Sequence, residues 1–153
     1  MRILIRNDRP EAGIDEDRLR RRAERALHLL GCSDRAELSV WLCSDEEIRR
    51  LHREFFGLDS PTNVISFPQR EGAFGGVEPD LLGDVVISAD TAIREGAEAG
   101  LSPDDAVAYY LIHGLLHLLG HDHVGVPPEK AAEMETLQES LFGRVVGETE
   151  TLA

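Results

Sequence analysis

The sequence has few cysteines, few long apolar runs and no recognisable leader, and each shortage narrows the possible functions. Two cysteines, Cys32 and Cys43, lack CxxC spacing, so we expect reduced thiols rather than a disulfide framework. The longest apolar stretch, 106–119, is interrupted by two histidines and is shorter than the roughly 20 residues that span a bilayer. The first residues lack the apolar core of a signal peptide. We therefore expect a cytoplasmic protein without membrane contact.

Basic residues are also scarce, because 16 lysines and arginines face 29 acidic residues, for a net charge of −13. This balance argues against a protein that wraps a long stretch of nucleic acid. The first 53 residues hold 12 of the 16 basic side chains, so any phosphate contact is expected there, although most of these side chains are typical of solvated helix faces. The candidates are Arg18, Arg20, Arg21, Arg22, Arg25, Arg49, Arg50 and Arg53.

Hydrophobic periodicity predicts the element order βαβαββααα, an α+β fold. The strands are predicted at 1–6, 37–42, 63–67 and 83–88, with a long Gly-rich loop at 69–82. Helices are predicted from Asp15 to Gly31, from the Ser44 cap to Gly57, from Asp90 or Thr91 to Gly100, from the Ser102 cap to Gly120, and after Pro128. We expect one domain over 1–153, in which about five helices pack on a mixed sheet of about four strands, with 144–153 as a flexible tail.

The segment HGLLHLLGHDH, at 113–123, contains four of the six histidines. His113 and His117 are four residues apart on a predicted helix, so their side chains lie about 40° apart around the axis and roughly 6 Å apart along it. Gly120 then stops the helix, so that the chain can fold back and bring His123 to the same point. Three imidazoles suit one zinc ion per chain and leave a fourth position for water, as in catalytic zinc sites.

Two simpler interpretations apply to these residues. In one of them, His113 and His117 are core histidines that each form a hydrogen bond. Without such partners, each buried imidazole would cost about 1–3 kcal/mol. Asp122 either orients an imidazole, acts on the bound water, or caps the turn. The spacing of the three histidines around a helix-stopping glycine favours the metal site.

The histidine spacing also matches H-E-x-x-H-x-x-G-x-x-H, the motif of the metzincin proteases. Their general-base glutamate follows the first histidine, where this chain has Gly114. A peptidase of that kind would lack its base. Gly114 is expected to leave the helix surface bare beside the metal, so that a bulky substrate can approach.

The segment 113–123 resembles the H-G-x-L-H-L-x-G-[YH]-D-H signature of the YbeY family of bacterial rRNA-maturation endoribonucleases. LHREFFGLDSPTNVISFP (51–68), LLGDVVIS (81–88) and EMETLQ (133–138) resemble further parts of that family, so the resemblance covers most of 40–142. It implies a zinc-dependent, single-strand-specific endoribonuclease that matures the small-subunit rRNA terminus and takes part in ribosome quality control. The zinc ligands carry over as His113, His117 and His123, and Asp122 joins them as a catalytic candidate.

The chain departs from the family pattern at two positions, since members typically have arginine where it has Phe56 and asparagine where it has His52. An arginine can hold a phosphodiester with two hydrogen bonds. Arg53 or Arg70 is a candidate replacement. The cleft is expected to be lined by hydroxyl and amide donors from Thr62, Asn63 and Ser66. Alternatively, these residues only complete a turn and a strand. Phe55, Phe56 and Phe74 either stack on bases or, more often for such residues, serve packing.

The expected partners are single-stranded RNA, rRNA in particular, and the ribosome or its proteins, with no DNA. Whether a metal-activated hydroxide attacks phosphorus or deprotonates the ribose 2′-OH stays open. The alternative function is a non-catalytic, zinc-stabilised ribosome assembly factor. The acidic composition favours that alternative, because ribosomal proteins are basic.

Overall fold

The computed structural model describes residues 1–69, 80–120 and 126–152, with side chains described as far as residue 147. In these ranges the chain forms the predicted order of four strands and five helices, plus a 3-10 turn at Pro10–Ala12. The elements are β1 (Arg2–Asn7), α1 (Glu16–Leu29), β2 (Glu37–Cys43), α2 (Asp45–Phe56), β3 (Val64–Pro68), β4 (Leu81–Ser88), α3 (Ala89–Glu98), α4 (Pro103–Leu118) and α5 (Pro128–Leu152).

The strands form one mixed sheet in the order β1-β2-β4-β3. β1, β2 and β4 are parallel, and β3 is antiparallel to β4. On β2, Leu38, Val40 and Leu42 are buried against the main core, whereas Trp41 packs with a smaller cluster that includes Ile48 of α2. This alternation follows from the two-residue period of a strand. The predicted α+β class is confirmed.

Helix α4 lies in the centre of the core, as its almost wholly apolar sequence predicts. It packs against α1, α3, α5, β3 and β4, and its residues include Leu111, Leu115 and Leu116, each at most 1% exposed. The Ser102 hydroxyl accepts a hydrogen bond from the amide of Asp105 and Pro103 occupies the first turn, so the helix begins where its cap predicts. Among the described residues, none of the helices combines the length and apolar character needed to cross a bilayer.

The other predicted N-caps can be checked against their hydrogen bonds. Asp15 and Ser44 accept from the backbone amides of Arg18 and Glu47, which confirms both starts. The predicted start of α3 was one or two residues too late. Ser88, the last residue of β4, caps the helix directly, so the strand passes into α3 without a turn.

The final helix extends into residues 144–152, which the sequence predicts to be part of a flexible tail. α5 continues to Leu152, and Val145 is completely buried against the core. Met134, Leu141 and Val145 are buried on one face, at helical spacing. The buried face of α5 therefore extends at least one turn beyond Leu141, into the predicted tail.

Arg22 is an exception to the expectation that the arginines of the first third line solvated faces. Its side chain is 1% exposed, and its guanidinium lies 3.0 Å from the carboxylate of Asp105 on α4. A buried guanidinium needs such an ionic partner. Both cysteines are in the reduced form, as expected, and burial raises the pKa of Cys43 to about 12.

Candidate active site

His113 and His117 stand one turn apart on α4 and meet at their ring nitrogens. The two Nε2 atoms lie 3.1 Å apart, and the ring centroids are 4.6 Å apart in an edge-to-face arrangement. This close approach follows from the four-residue spacing on a helix. Neither ring is exposed, since both lie partly buried at the boundary between the core and solvent.

The two imidazoles open into a cavity of about 550 Å³. Its α4 wall consists of His113, His117 and the following Gly120. Its α2 wall consists of His52 and Phe56, and residues 62–66 together with Pro68 complete the described lining. Three separate segments thus meet around the histidine pair, as is usual for ligand sites.

Gly114 does not leave a bare surface for substrate, contrary to the expectation from its missing side chain. A Cβ atom at this position would lie 2.6 Å from Cγ1 of Val85 and 3.2 Å from both Oγ of Ser66 and Cγ2 of Val64. The glycine lets α4 pack closely on β3 and β4. Ser66 also donates a hydrogen bond of 2.8 Å to the carbonyl of Gly114. Gly114 therefore fixes the depth of the histidine pair against the sheet.

Gln138 of α5 contacts the site, although the sequence had indicated no role for it. Its Oε1 lies 2.7 Å from Nδ1 of His113, and its side chain is buried, at 7% exposure. A signal was present in the sequence, because Gln138 follows the apolar Met134 by four residues and so lies on the same face of the predicted helix. A polar residue at such a position needs a buried partner.

The α2 wall is held less firmly. His52 forms a hydrogen bond of 2.8 Å between its Nδ1 and the carbonyl of Ser60. Phe56 is 52% exposed and packs at a tilt against Phe67, with ring centroids 6.2 Å apart. Phe55, the other described stacking candidate, lies outside these walls and contacts Phe67 edge-on at 5.3 Å.

The predicted substrate-binding residues differ in position. Thr62 and Ser66 both line the cavity, and Ser66 also forms the structural bond to Gly114. Asn63 lines it too, but its amide donates to Glu95 at 3.2 Å. Arg53 lies outside the walls formed by the described residues, and its guanidinium is 3.7 Å from Asp59.

Several candidates lie outside the described residues: Arg70, Phe74, Asp122 and His123. In the part of the chain that is described, no group of three or more His, Cys, Asp or Glu side chains is arranged to hold a metal ion. Of the three predicted zinc ligands, His113 and His117 are within the described residues.

Comparisons with known proteins agree with the sequence signature. The family model Endoribonuclease YbeY matches residues 4–146. Endoribonuclease YbeY of Syntrophus aciditrophicus is 42% identical over 142 residues, which cover 93% of this chain and 88% of the relative. The Geobacter sulfurreducens protein of that name is 45% identical over 142 residues, covering 93% and 94%. The solution structure of TM1509 from Thermotoga maritima aligns with a TM-score of 0.63 at 26% identity, covering 98% of this chain and 91% of that one. The chain belongs to the YbeY endoribonuclease family.

Proposed function

We propose that this protein is a zinc-dependent, single-strand-specific endoribonuclease that acts in small-subunit rRNA maturation and ribosome quality control. The observation that carries the proposal is the pair of imidazoles on α4, whose Nε2 atoms meet at the cavity. The relatives named Endoribonuclease YbeY support RNA as the substrate. Cytoplasmic location belongs to the proposal, because ribosomes are assembled there.

The histidine pair fits a zinc ion. Two nitrogens that each lie 2.0–2.1 Å from a tetrahedral zinc are about 3.3 Å apart, and the two Nε2 atoms lie 3.1 Å apart. Nitrogen ligands also suit zinc better than magnesium or calcium. In the proposal, His113 and His117 hold one zinc per chain together with His123, and Asp122 is the candidate carboxylate beside them.

When bound, zinc polarises a phosphoryl oxygen and makes water a better nucleophile. The residues of the chain hold and orient the substrate around it. Thr62 and His52 present hydrogen-bonding groups on the cavity lining, and the fixed carbonyl of Gly114 keeps Ser66 turned towards α4. Among the described lining residues there is no arginine. In the proposal, substrate binding therefore depends on the hydrogen-bonding groups of the lining and on the candidate Arg70. Arg53 could contribute only by giving up its ion pair with Asp59.

Single-stranded RNA is the favoured substrate because the histidine pair lies within a concave site. An unpaired nucleotide can enter such a cavity with its backbone splayed, whereas a stiff duplex keeps its phosphates on the outside. The net charge of −13 further disfavours long duplex tracts, DNA included.

The same acidic composition supports the second candidate, a non-catalytic assembly factor in which zinc holds the fold. A net charge of −13 is complementary to basic ribosomal proteins. The same charge still allows a short contact with RNA. Only the endoribonuclease would cleave RNA, and its cleavage would require His117.

The test is cleavage of a labelled single-stranded RNA and of the matching duplex by the wild type, His117→Ala and His28→Ala. His28 is an exposed histidine on α1 and serves as the control. We expect cleavage of the single strand alone, lost in His117→Ala and unchanged in His28→Ala. Cleavage that survives in His117→Ala would overturn the proposal.

A further inference from the structure

A series of neighbouring polar side chains, which runs from the exposed Glu139 to the buried Gln138, joins helix α5 to His113. Its first link is the bond of 2.7 Å between Nδ1 of His113 and Oε1 of Gln138, whose side chain is only 7% exposed. Its last link is the hydroxyl of Tyr109, which donates to Oε1 of Glu139 at 2.9 Å. Gln138 and Glu139 are adjacent on α5, and Tyr109 precedes His113 by one turn of α4.

The middle link connects Gln138 to Tyr109. The Gln138 side chain also lies near enough to the Tyr109 hydroxyl to lower the pKa of the phenol. A hydrogen bond that lowers a phenol pKa is one donated to its oxygen, and the amide NH₂ is the donor of glutamine. Burial and Glu139 act more strongly in the other direction, so the pKa of Tyr109 is raised overall.

These bonds fix the direction of the series. A carboxylate only accepts, so the Tyr109 hydroxyl donates to Glu139 and its oxygen receives the amide of Gln138. Oε1 is the amide atom of Gln138 that faces His113, so the amide nitrogen is the atom left to face Tyr109. Because that oxygen only accepts, Nδ1 of His113 carries the ring proton.

The consequence for the site is the state of the other ring nitrogen. A neutral imidazole that is protonated at Nδ1 has its lone pair on Nε2, and Nε2 of His113 is the atom that lies 3.1 Å from Nε2 of His117. If the amide were reversed, Nδ1 would have to accept and Nε2 would carry the proton, which blocks coordination from that atom.

We propose that Gln138 and Tyr109 are positioning residues that hold His113 in the Nδ1–H tautomer, with the Nε2 lone pair directed to the metal position. Helix α5 thereby sets the zinc affinity of a site whose proposed ligands lie on α4 and the turn after it. Hydrogen-bond partners of this kind typically change metal affinity or activity 10–100-fold. The inference rests on the proposed zinc site.

The experiment measures two quantities in four variants. Nitrogen-15 spectra of the metal-free protein report which nitrogen of His113 is protonated, and competition with a chromophoric chelator gives the zinc dissociation constant. Gln138→Leu removes the acceptor, Gln138→Glu keeps an acceptor oxygen, and Tyr109→Phe removes only the hydroxyl that orients the amide. The control is Tyr110→Phe, because the neighbouring Tyr110 also donates to a glutamate, Glu95, at 3.3 Å.

We expect the Nδ1–H tautomer in the wild type. We expect zinc binding about 10–100-fold weaker in Gln138→Leu, as for other hydrogen-bond partners of metal ligands. Tyr109→Phe should weaken binding by a smaller factor and allow a mixture of tautomers. Gln138→Glu should bind as the wild type does, and Tyr110→Phe should change neither quantity.

An Nε2–H tautomer in the wild type would overturn the inference, as would equal weakening by Tyr109→Phe and Tyr110→Phe. If Gln138→Leu does not fold, Tyr109→Phe decides, since it retains the ring packed against Phe142. The tautomer is measured without metal, so a wild type that shows the Nδ1–H form but cleaves no RNA would refute the endoribonuclease and leave the series of polar side chains standing.

Discussion

The α4 wall and the α2 wall of the cavity differ in how the protein holds their side chains. On the α4 wall, His113 bonds to a buried glutamine and the backbone of Gly114 accepts from Ser66. On the α2 wall, Phe56 is half exposed and His52 bonds to the carbonyl of an exposed turn. The wall that carries the two proposed metal ligands is thus anchored in the core. We expect the other wall to tolerate substitution without loss of the fold, and His52 and Phe56, where the resemblance implies a departure from the family pattern, both lie on it.

The largest expected effect comes from removing an imidazole of the α4 wall. His117→Ala should lower RNA cleavage by more than about 100-fold, because even the loss of a partner behind a metal ligand costs 10–100-fold. The unfolding temperature should change little, since the ring lies at the edge of the core. Steady-state cleavage and thermal unfolding measure the two effects. Unchanged cleavage would show that the α4 wall carries no chemistry.

A second change tests whether the α4 wall depends on close packing. Gly114→Ala places a methyl 2.6 Å from Cγ1 of Val85, and overpacking of this kind costs typically 1–3 kcal/mol. The higher helix propensity of alanine offsets about 1 kcal/mol of this cost at most. We expect a net destabilisation of about 0–2 kcal/mol in urea unfolding, together with reduced cleavage as α4 shifts away from the sheet.

The matched control for that change is Gly143→Ala on α5, where no described atom lies within 4 Å of the added carbon. It should stabilise the protein by up to about 1 kcal/mol, because only propensity changes. Equal effects of the two substitutions would contradict the packing role of Gly114.

The smallest expected effect comes from the α2 wall. Phe56→Arg should place a guanidinium at the cavity and tighten RNA binding by up to about tenfold, which is about 1.4 kcal/mol, close to the lower end of the range for a hydrogen bond to a charged group. Phe55→Arg adds the same charge outside the walls and is the control. The Michaelis constant and its salt dependence are the measurements. Equal gains in both variants would mean that net charge, rather than position on the wall, governs binding.

Much of the fold could be predicted because its signals are local. The Asp15, Ser44 and Ser102 caps and the alternation of β2 each depend on a few neighbouring residues, and the histidine pair depends on a spacing of four. The burial of Arg22 could not be predicted, because its partner Asp105 is 83 positions away in the sequence. The extent of α5 was missed since the apolar positions after 141 are too few to give a clear stripe.

The same distinction applies to the site. The sequence alone predicted that His113 and His117 lie together, because they are four residues apart on one helix. It did not predict the contact of His113 with Gln138, because these residues are 25 positions apart on two helices. The role of Gly114 was misjudged for a related reason. A missing side chain indicates open space in a sequence, but here three side chains of the sheet fill that space. Which atoms occupy a gap is a tertiary property.

The most direct test of the account is removal of metal from the wild type, with folding followed by circular dichroism and activity by RNA cleavage. The core around α4 is apolar and complete without the histidines, so we predict a folded, inactive protein that regains cleavage in proportion to added zinc, up to one ion per chain. His117→Ala should regain none. A metal-free protein that unfolds would support the assembly factor, and one that stays folded and cleaves RNA at the full rate would contradict the central claim.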